Sequence, residues 1–466
     1  MKKCNIIKFS LVDIRITTAL TLSILLIAAV FTTTTTTTIS SYSSSSASPS
    51  SSSNNQKKQV TLTAMLDYLG DEKRWNIVFQ PALTELRARH PHMNIQLDYR
   101  PFPYSELRTQ FLDAMANETS IDIMSVDQIW LGEFAEKGFL TDLTDYVNNW
   151  GRSSDWYETN WDAGVYNDKI YGIWAITDIR GMWYWKDLLA EAGVNPQSLK
   201  TWDGYIASAQ KLNNALKDKG IQGMHLVGVS FSPDMSFYPY LWMLGGDIVE
   251  RRDRHPSKGS YWYPSFNSTE GVRALEFIQK QVSVGIKPQV EHFSGKEFAD
   301  RKFAVMLEGS WLLGFFPREE WPDFAEKVGF LPMFPVPNEG IETATLMGGW
   351  LLAIPNTSKN KDLAWELLTL MVEPRIITPL DSQYGYLPTQ IPIGEGPYSE
   401  ELRKSIPYYD ELISMIKIGR TRPSIPEYPE IADHIRQAID EVYYGLKEPK
   451  QALNDAAAKS AKALGW

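Results

Sequence analysis

A single cysteine, Cys4, in 466 residues leaves nothing with which to form a disulfide. Histidine is almost as scarce. The six present, His90, His92, His225, His255, His292 and His434, form no His-Glu-x-x-His or other paired ligand set, so no metal centre and no cofactor are expected. There is no Gly-x-x-x-x-Gly-Lys segment to cradle phosphate, and Gly228-Val229-Ser230-Phe231-Ser232 lacks the second glycine of a nucleophile elbow. Positive charge is also short, with Lys+Arg 46 against Asp+Glu 56 and a net charge of −10. A polyanion such as nucleic acid is therefore not an expected partner. The one basic cluster, Arg251-Arg252-Asp253-Arg254-His255, is short and interrupted by an acid, and reads as a solvated loop.

Long apolar runs are missing as well. After Met1-Lys2-Lys3, Lys8 and Arg15, residues 19–31 form an apolar run of 13, below the ~20 residues that span a bilayer comfortably. This is a signal-type start, either cleaved or retained as an anchor. Cys4 precedes the run, so it cannot be the acylated cysteine of a mature lipoprotein. Residues 32–59 are dominated by threonine and serine and can build no core. A flexible stalk beside an apolar segment makes sense if the rest works outside a membrane to which it stays tethered. The alternative is a cleaved signal followed by a plain linker. Three N-glycosylation sequons, beginning at Asn117, Asn267 and Asn356, agree with export.

What the chain has in abundance is aromatic rings set beside charge. Sixteen tryptophans are present, and Gly172-Ile173-Trp174-Ala175-Ile176-Thr177-Asp178-Ile179-Arg180-Gly181-Met182-Trp183-Tyr184-Trp185-Lys186-Asp187 places four rings beside an aspartate and an arginine. A pyranose has an apolar C–H face that packs on an indole and a rim of vicinal hydroxyls that suits carboxylates and guanidinium groups. Asp127 and Trp130 before this stretch, and Trp242, Trp311, Trp350 and Tyr384 after it, repeat the combination.

Residues 60–466 are too many for one core and natural for two lobes of about 200 each. Val60-Thr61-Leu62-Thr63-Ala64-Met65-Leu66 alternates as a strand, followed by a helical stretch at 73–90, a strand at 94–99, a helix at 104–118 and a strand at 121–127 ending on Asp127. That alternation predicts a parallel α/β sheet, with a ligand beyond the carboxyl ends of its strands, near Asp67, Tyr68 and Asp127. A second α/β region has helices at 202–215 and 269–284 and strands at 225–230, 303–309 and 348–355; the last 110 residues are mostly helical.

Several motifs in this order resemble the carbohydrate group of extracellular solute-binding proteins of ABC importers, the group that includes maltose- and trehalose-binding proteins. They are Asp122-Ile123-Met124-Ser125-Val126-Asp127 followed by Trp130, Glu133-Phe134-Ala135 and Gly138-Phe139-Leu140; Ile170-Tyr171-Gly172-Ile173 running to Asp178; Trp183-Tyr184 leading to Lys186-Asp187-Leu188; Met306-Leu307-Glu308-Gly309-Ser310-Trp311; Gly348-Gly349-Trp350; Tyr386-Leu387-Pro388-Thr389; and Arg422-Pro423. The resemblance spans residues 60–466. It implies a two-lobed α/β fold with a hinge and an interlobe cleft, the first lobe taking 60–172 and 305–357 and the second 173–304 and 358–466. It also implies a monomeric receptor that delivers sugar to a membrane permease, with Asp127, Asp178, Trp311, Gly348, Gly349, Trp350 and Arg422 at sugar-contacting positions. Trp242 is a further candidate for the cleft, and Asp67, Asp71 and Glu72 compete for one acidic contact. Ile176 departs from relatives that carry an aromatic there, and Trp174 is positioned in sequence to compensate.

The main rival is a secreted glycoside hydrolase, which needs two carboxyls about 5–10 Å apart across the scissile bond. Asp127 with Asp178 or Glu308 would be the pair, but the sequence marks neither acid as raised in pKa. A binder of a non-sugar solute, a peptide or polyamine, is the third reading; Arg422 disfavours a polycation.

Overall fold

The computed structural model describes residues 57–68, 71–225, 236–252, 261–286, 295–338 and 340–466. The apolar segment 19–31, most of the 32–59 stalk and the expected strand beyond His225 lie outside them. β1 (Lys58–Tyr68) pairs in parallel with β2 (Met93–Pro103) and β3 (Ile123–Asp127), through crossovers containing α1 (Asn76–Arg89) and α2 (Tyr104–Ala116). Helix α1 forms because Val78, Phe79, Ala82, Leu83 and Leu86 recur at helical spacing on one buried face, while Arg87 and Arg89 in the last turn complement the helix dipole. All five residues of β3 are buried, as expected of a strand flanked by β1 and a further strand.

A two-stranded hairpin of β4 (Val165–Tyr166) and β5 (Lys169–Ile170) leads into β6 (Ile173–Trp185), the aromatic-rich stretch. Further along come β7 (Gln222–His225), the hairpin of β8 (Val249–Arg251) with β9 (Trp262–Pro264), β10 (Phe303–Gly309), β11 (Val328–Leu331), β12 (Thr345–Ala353) and β13 (Gly419–Arg420). The main sheet runs β2-β1-β3-β12-β6-β10-β7, with β11 also on β6 and β13 on β12. β12 is antiparallel to both β3 and β6.

All thirteen residues of β6 are buried. Its residues 173–179 pair with β12, whereas Arg180 onward pairs with β10 and β11. One strand thus belongs to two halves of the sheet and changes partners between Ile179 and Arg180. Trp183 and Trp185, both with no exposure, fasten the second half against Phe330, Phe298 and Phe324.

Two segments make contacts across the expected lobe bounds. β10, expected with the first lobe from residue 305 on, pairs with residues 180–184 of β6 and with β7, in the second half. The helices Lys361–Met371 and Pro374–Tyr384, expected with the second lobe, pack on α1. Sequence order hides this because the chain crosses between the halves several times. The helices Tyr428–Tyr443 and Pro449–Ala463 pack on each other and on Thr269–Ser283.

Where β12 meets the first half of β6, the register shifts: Trp350 faces Ile176 but Leu351 faces Trp174, leaving Ala175 as an extra residue. Gly349 makes this possible. Its φ is +155°, and a Cβ there would lie 2.1 Å from Trp174 Nε1 and 2.3 Å from the Ile176 carbonyl. Gly349→Ala is therefore expected to destabilise the protein by about 1–3 kcal/mol from backbone strain alone, with the steric clash adding to it. Chemical denaturation that finds the variant as stable as the parent would refute the bulge as the reason for this glycine.

Candidate functional site

Sheet register decides which candidate residues share a face. Directly paired residues of antiparallel strands point the same way, as do residues i and i+2 along one strand. Trp350 pairs with Asp127, Gly348 with Asp178, and Gly309 with Arg180, while Asp178 and Arg180 are two apart on β6. β3, β12, β6 and β10 therefore present Asp127, Trp350, Gly348, Asp178, Arg180 and Gly309 on one face of the sheet. Arg422 reaches the same place from the loop after β13, where the Gln128 side-chain amide donates to its carbonyl at 2.9 Å.

Asp127 ends β3 and caps the short 3-10 turn Gln128–Trp130, its Oδ1 accepting from Ile129 N at 3.3 Å. The same Oδ1 accepts from Arg422 Nη2 at 3.0 Å, and Oδ2 accepts from the Tyr104 hydroxyl at 2.9 Å. Asp178 is matched by Arg180, whose Nη1 donates to Asp178 Oδ1. Burial pushes the Asp178 carboxyl up from the ordinary carboxylate range, and Arg180 and then Arg422 pull it back down. Asp127 and Asp178 therefore each have an arginine of their own. Arg180, which sequence reasoning noted beside Asp178 but gave no role, is the residue it missed; its position two residues along the same strand was the available signal.

The aromatic side of the face has two parts. Trp350 is half-buried and meets Tyr104 and Trp130 edge-on at 5.8 Å each, while Tyr104 stacks on Trp130. Trp311, also half-buried, carries the Arg180 guanidinium over one ring face at 4.7 Å. The missing side chains of Gly309 and Gly348 make the room: a Cβ on Gly309 would sit 2.0 Å from the Trp311 ring, and one on Gly348 2.6 Å from Arg180 Nη1.

The remaining candidates are placed differently. Asp67 is buried in an ion pair with Arg74, which also donates to the Tyr386 hydroxyl, so its carboxylate is engaged inside the protein. Asp71 accepts from the Tyr384 hydroxyl, and Glu72 is exposed, contributing only its carbonyl to the Tyr99 hydroxyl. Trp242 lies in the helix Tyr238–Met243, buried, with its Nε1 donating to Asp247 Oδ1 at 3.3 Å and Arg420 over its ring at 5.0 Å. Trp174 is fully buried, its Nε1 donating to the Ile176 carbonyl at 2.6 Å, so it packs within the sheet and does not replace an aromatic at Ile176.

The profile of bacterial extracellular solute-binding proteins matches residues 76–376. A binding protein of Brucella abortus is 26% identical over 395 residues, covering 82% of this chain and 88% of its own. Among solved structures, a solute-binding protein of an ABC transporter from Thermotoga lettingae bound with α-D-tagatose superposes with a TM-score of 0.73 at 23% identity, covering 87% of this chain and 100% of that one. Maltose-bound MalE3 of T. maritima gives 0.72 at 22% identity, over 86% and 98%. The fold is thus the two-lobed α/β architecture of these proteins.

Glu308 precedes Gly309 on β10 and pairs with Gly181, so it alternates to the other face of the sheet from Arg180. Burial pushes its carboxyl up to about 7, opposed by the Gly309 N–H, which donates to Oε1 at 2.9 Å, and by Arg180, and reinforced by Asp178. Between about pH 4.5 and 7 the folded state then holds a proton that the unfolded state has lost, so this group's contribution to stability falls as pH rises through that window. At about 1.4 kcal/mol per pKa unit the loss is at most about 3.5 kcal/mol. Glu308→Gln keeps the neutral form and should flatten that part of the profile, with Asp178 still drifting in the same direction. Denaturation midpoints at pH 5 and pH 8 that change equally in parent and variant would show that Glu308 does not titrate in this way.

Proposed function

Because the chain belongs to the bacterial extracellular solute-binding protein family, we propose that it is a carbohydrate receptor, capturing a mono- to oligosaccharide between its lobes and passing it unchanged to the permease of an ABC importer. The observation that carries this reading is the single sheet face on which two carboxylates, each oriented by an arginine, lie beside Trp311 and Trp350. Fixed carboxylates accept from neighbouring hydroxyls, and half-buried indoles receive the C–H face of a ring. The tagatose and maltose held by the two structural neighbours support the same class. We assign ligand contact to Asp127, Asp178, Trp311, Gly348, Gly349, Trp350 and Arg422. In our reading the lobes divide near residue 179, the segment 361–384 going with the first, and the apolar run 19–31 with the stalk keeps both lobes, as a monomer, at the outer membrane face.

A hydrolase reading has one observation in its favour, the protonatable Glu308, whose carboxyl the charge of Asp178 helps to push up. Against it, Glu308 is only 3% exposed, and Asp127 and Asp178 are each engaged by an arginine.

A thermal-shift screen of mono- and disaccharides should raise the melting temperature for at least one neutral sugar. Chromatography of that sugar after incubation should recover it intact; turnover at enzyme-like rates, roughly 1–1000 per second, would decide for the hydrolase. Trp350→Ala should weaken binding by about 5- to 150-fold, equivalent to roughly 1–3 kcal/mol for a desolvated aromatic anchor. If that variant binds as the parent does but melts much earlier, Trp350 is a packing residue.

A further inference from the structure

Arg180 is the first residue of β6 to pair with the second half of the sheet, yet its side chain returns to the first half. Its Nη1 donates to Asp178 Oδ1 and lies 3.5 Å from the Leu346 carbonyl of β12, while the guanidinium plane covers Trp311, which follows β10. The side chain is 7% exposed, and it packs where Gly348 has no side chain: a Cβ there would lie 2.6 Å from Arg180 Nη1. One cation thus fixes a carboxylate from one lobe and blocks one face of an indole from the other. A lysine is a point charge without a planar face and cannot reproduce both contacts.

Among the described residues each acid on this face also has a counter-charge. Asp178 is opposed by Arg180 and Asp127 by Arg422, and Glu308, on the other face, is held towards its neutral form by burial. A ligand carrying its own charge would bring an unmatched one into a region where Asp127, Asp178, Arg180, Arg422 and Glu308 are all less than 9% exposed, and would lose its hydration without a counter-charge to replace it. Resting on the carbohydrate reading above, we propose that Arg180 is the specificity-determining residue of the cleft. It holds Asp178 and Trp311 as one unit and cancels the aspartate's charge, so that the protein takes an uncharged polyhydroxy compound in preference to an amino sugar or a uronate.

Calorimetric titration at pH 6 with D-glucose, D-tagatose and maltose as neutral probes, D-glucosamine as the cation and D-glucuronate as the anion tests this. The parent should bind at least one neutral probe tenfold or more tighter than either charged one. Arg180→Gln, which leaves Asp178 unmatched, should lose at least tenfold for that neutral probe and shift its preference towards glucosamine; Arg180→Lys should lose affinity with a smaller shift. The double variant Asp178→Asn with Arg180→Gln replaces the ion pair by two neutral amides. It should melt close to the parent, bind the neutral probe weakly and show no preference for the amine. If Arg180→Gln is too unstable to titrate, the double variant carries the test. Parent-like neutral-sugar binding in Arg180→Gln, Arg180→Lys or the double variant overturns the proposal, as does a parent that binds glucosamine or glucuronate as tightly as the neutral probes. A parent that binds none of the sugars defeats the carbohydrate reading itself, and the proposal with it.

Discussion

The structure depends on one strand with no solvent face. β6 is buried along all thirteen residues, and six of them, from Arg180 to Trp185, pair with different strands from the seven before them. Such a strand can carry charge only where that charge is neutralised locally, because an isolated buried ion costs far more than the sheet's hydrogen bonds return. Asp178 and Arg180 meet that condition for each other, on the same face, on either side of the change of partners. The need to bury β6 therefore places an ion pair at the junction of the two lobes, and the same need removes side chains from Gly348 and Gly309 to accommodate it.

The acids after β1 show the opposite outcome. Asp67 also ends a strand at the carboxyl edge of the sheet, where a ligand contact was a reasonable expectation. Arg74, seven residues on, folds back over it, and Tyr386 accepts from that arginine while Tyr384 donates to Asp71. The loop is thereby clamped to the segment after the helix Pro374–Tyr384, which itself packs on α1. A carboxylate in this network stabilises the lobe by holding distant parts of the chain together, and it has little capacity left for hydroxyls of a solute. Asp67 lies at the end of its strand as Asp127 does, whereas Asp178 lies within β6, and all three pair with an arginine; neither strand-end position nor a nearby cation by itself marks a site acid here.

Much of this was legible in the sequence. The order of strands and helices through residue 127 and the burial of β10 and β12 followed from local periodicity, and the family motifs picked out Asp127, Asp178, Gly348 and Trp350, which the register of β3, β12 and β6 places on one face. The lobe boundaries were not legible, since which half β10 or the helix Lys361–Met371 joins is fixed by pairing between segments far apart in sequence. The role of Trp242 was likewise hidden: Asp247 and Arg420 settle it into the protein, and only the fold brings Arg420 there. Trp174 looked like a substitute for a missing aromatic, but alternation along β6 and the bulge at Ala175 direct its ring into the sheet.

Enclosure has a consequence for how a solute could enter. The four paired groups, Asp127, Asp178, Arg180 and Arg422, are between 4% and 7% exposed, too little for a hydrated sugar to reach them without separation of the surrounding walls. The Asp127–Arg422 contact joins the end of β3 to the loop after β13, and the Arg180–Trp311 contact joins β6 to the turn after β10. These polar and cation–ring contacts are made by side chains, whereas the backbone ladder of β6 is continuous through the junction. Side-chain contacts of this kind exchange for water at small net free energy, while breaking a buried ladder does not. Asp178 and Arg180 sit two residues apart on one face of that continuous ladder, so any movement that leaves the ladder intact keeps them together as one unit.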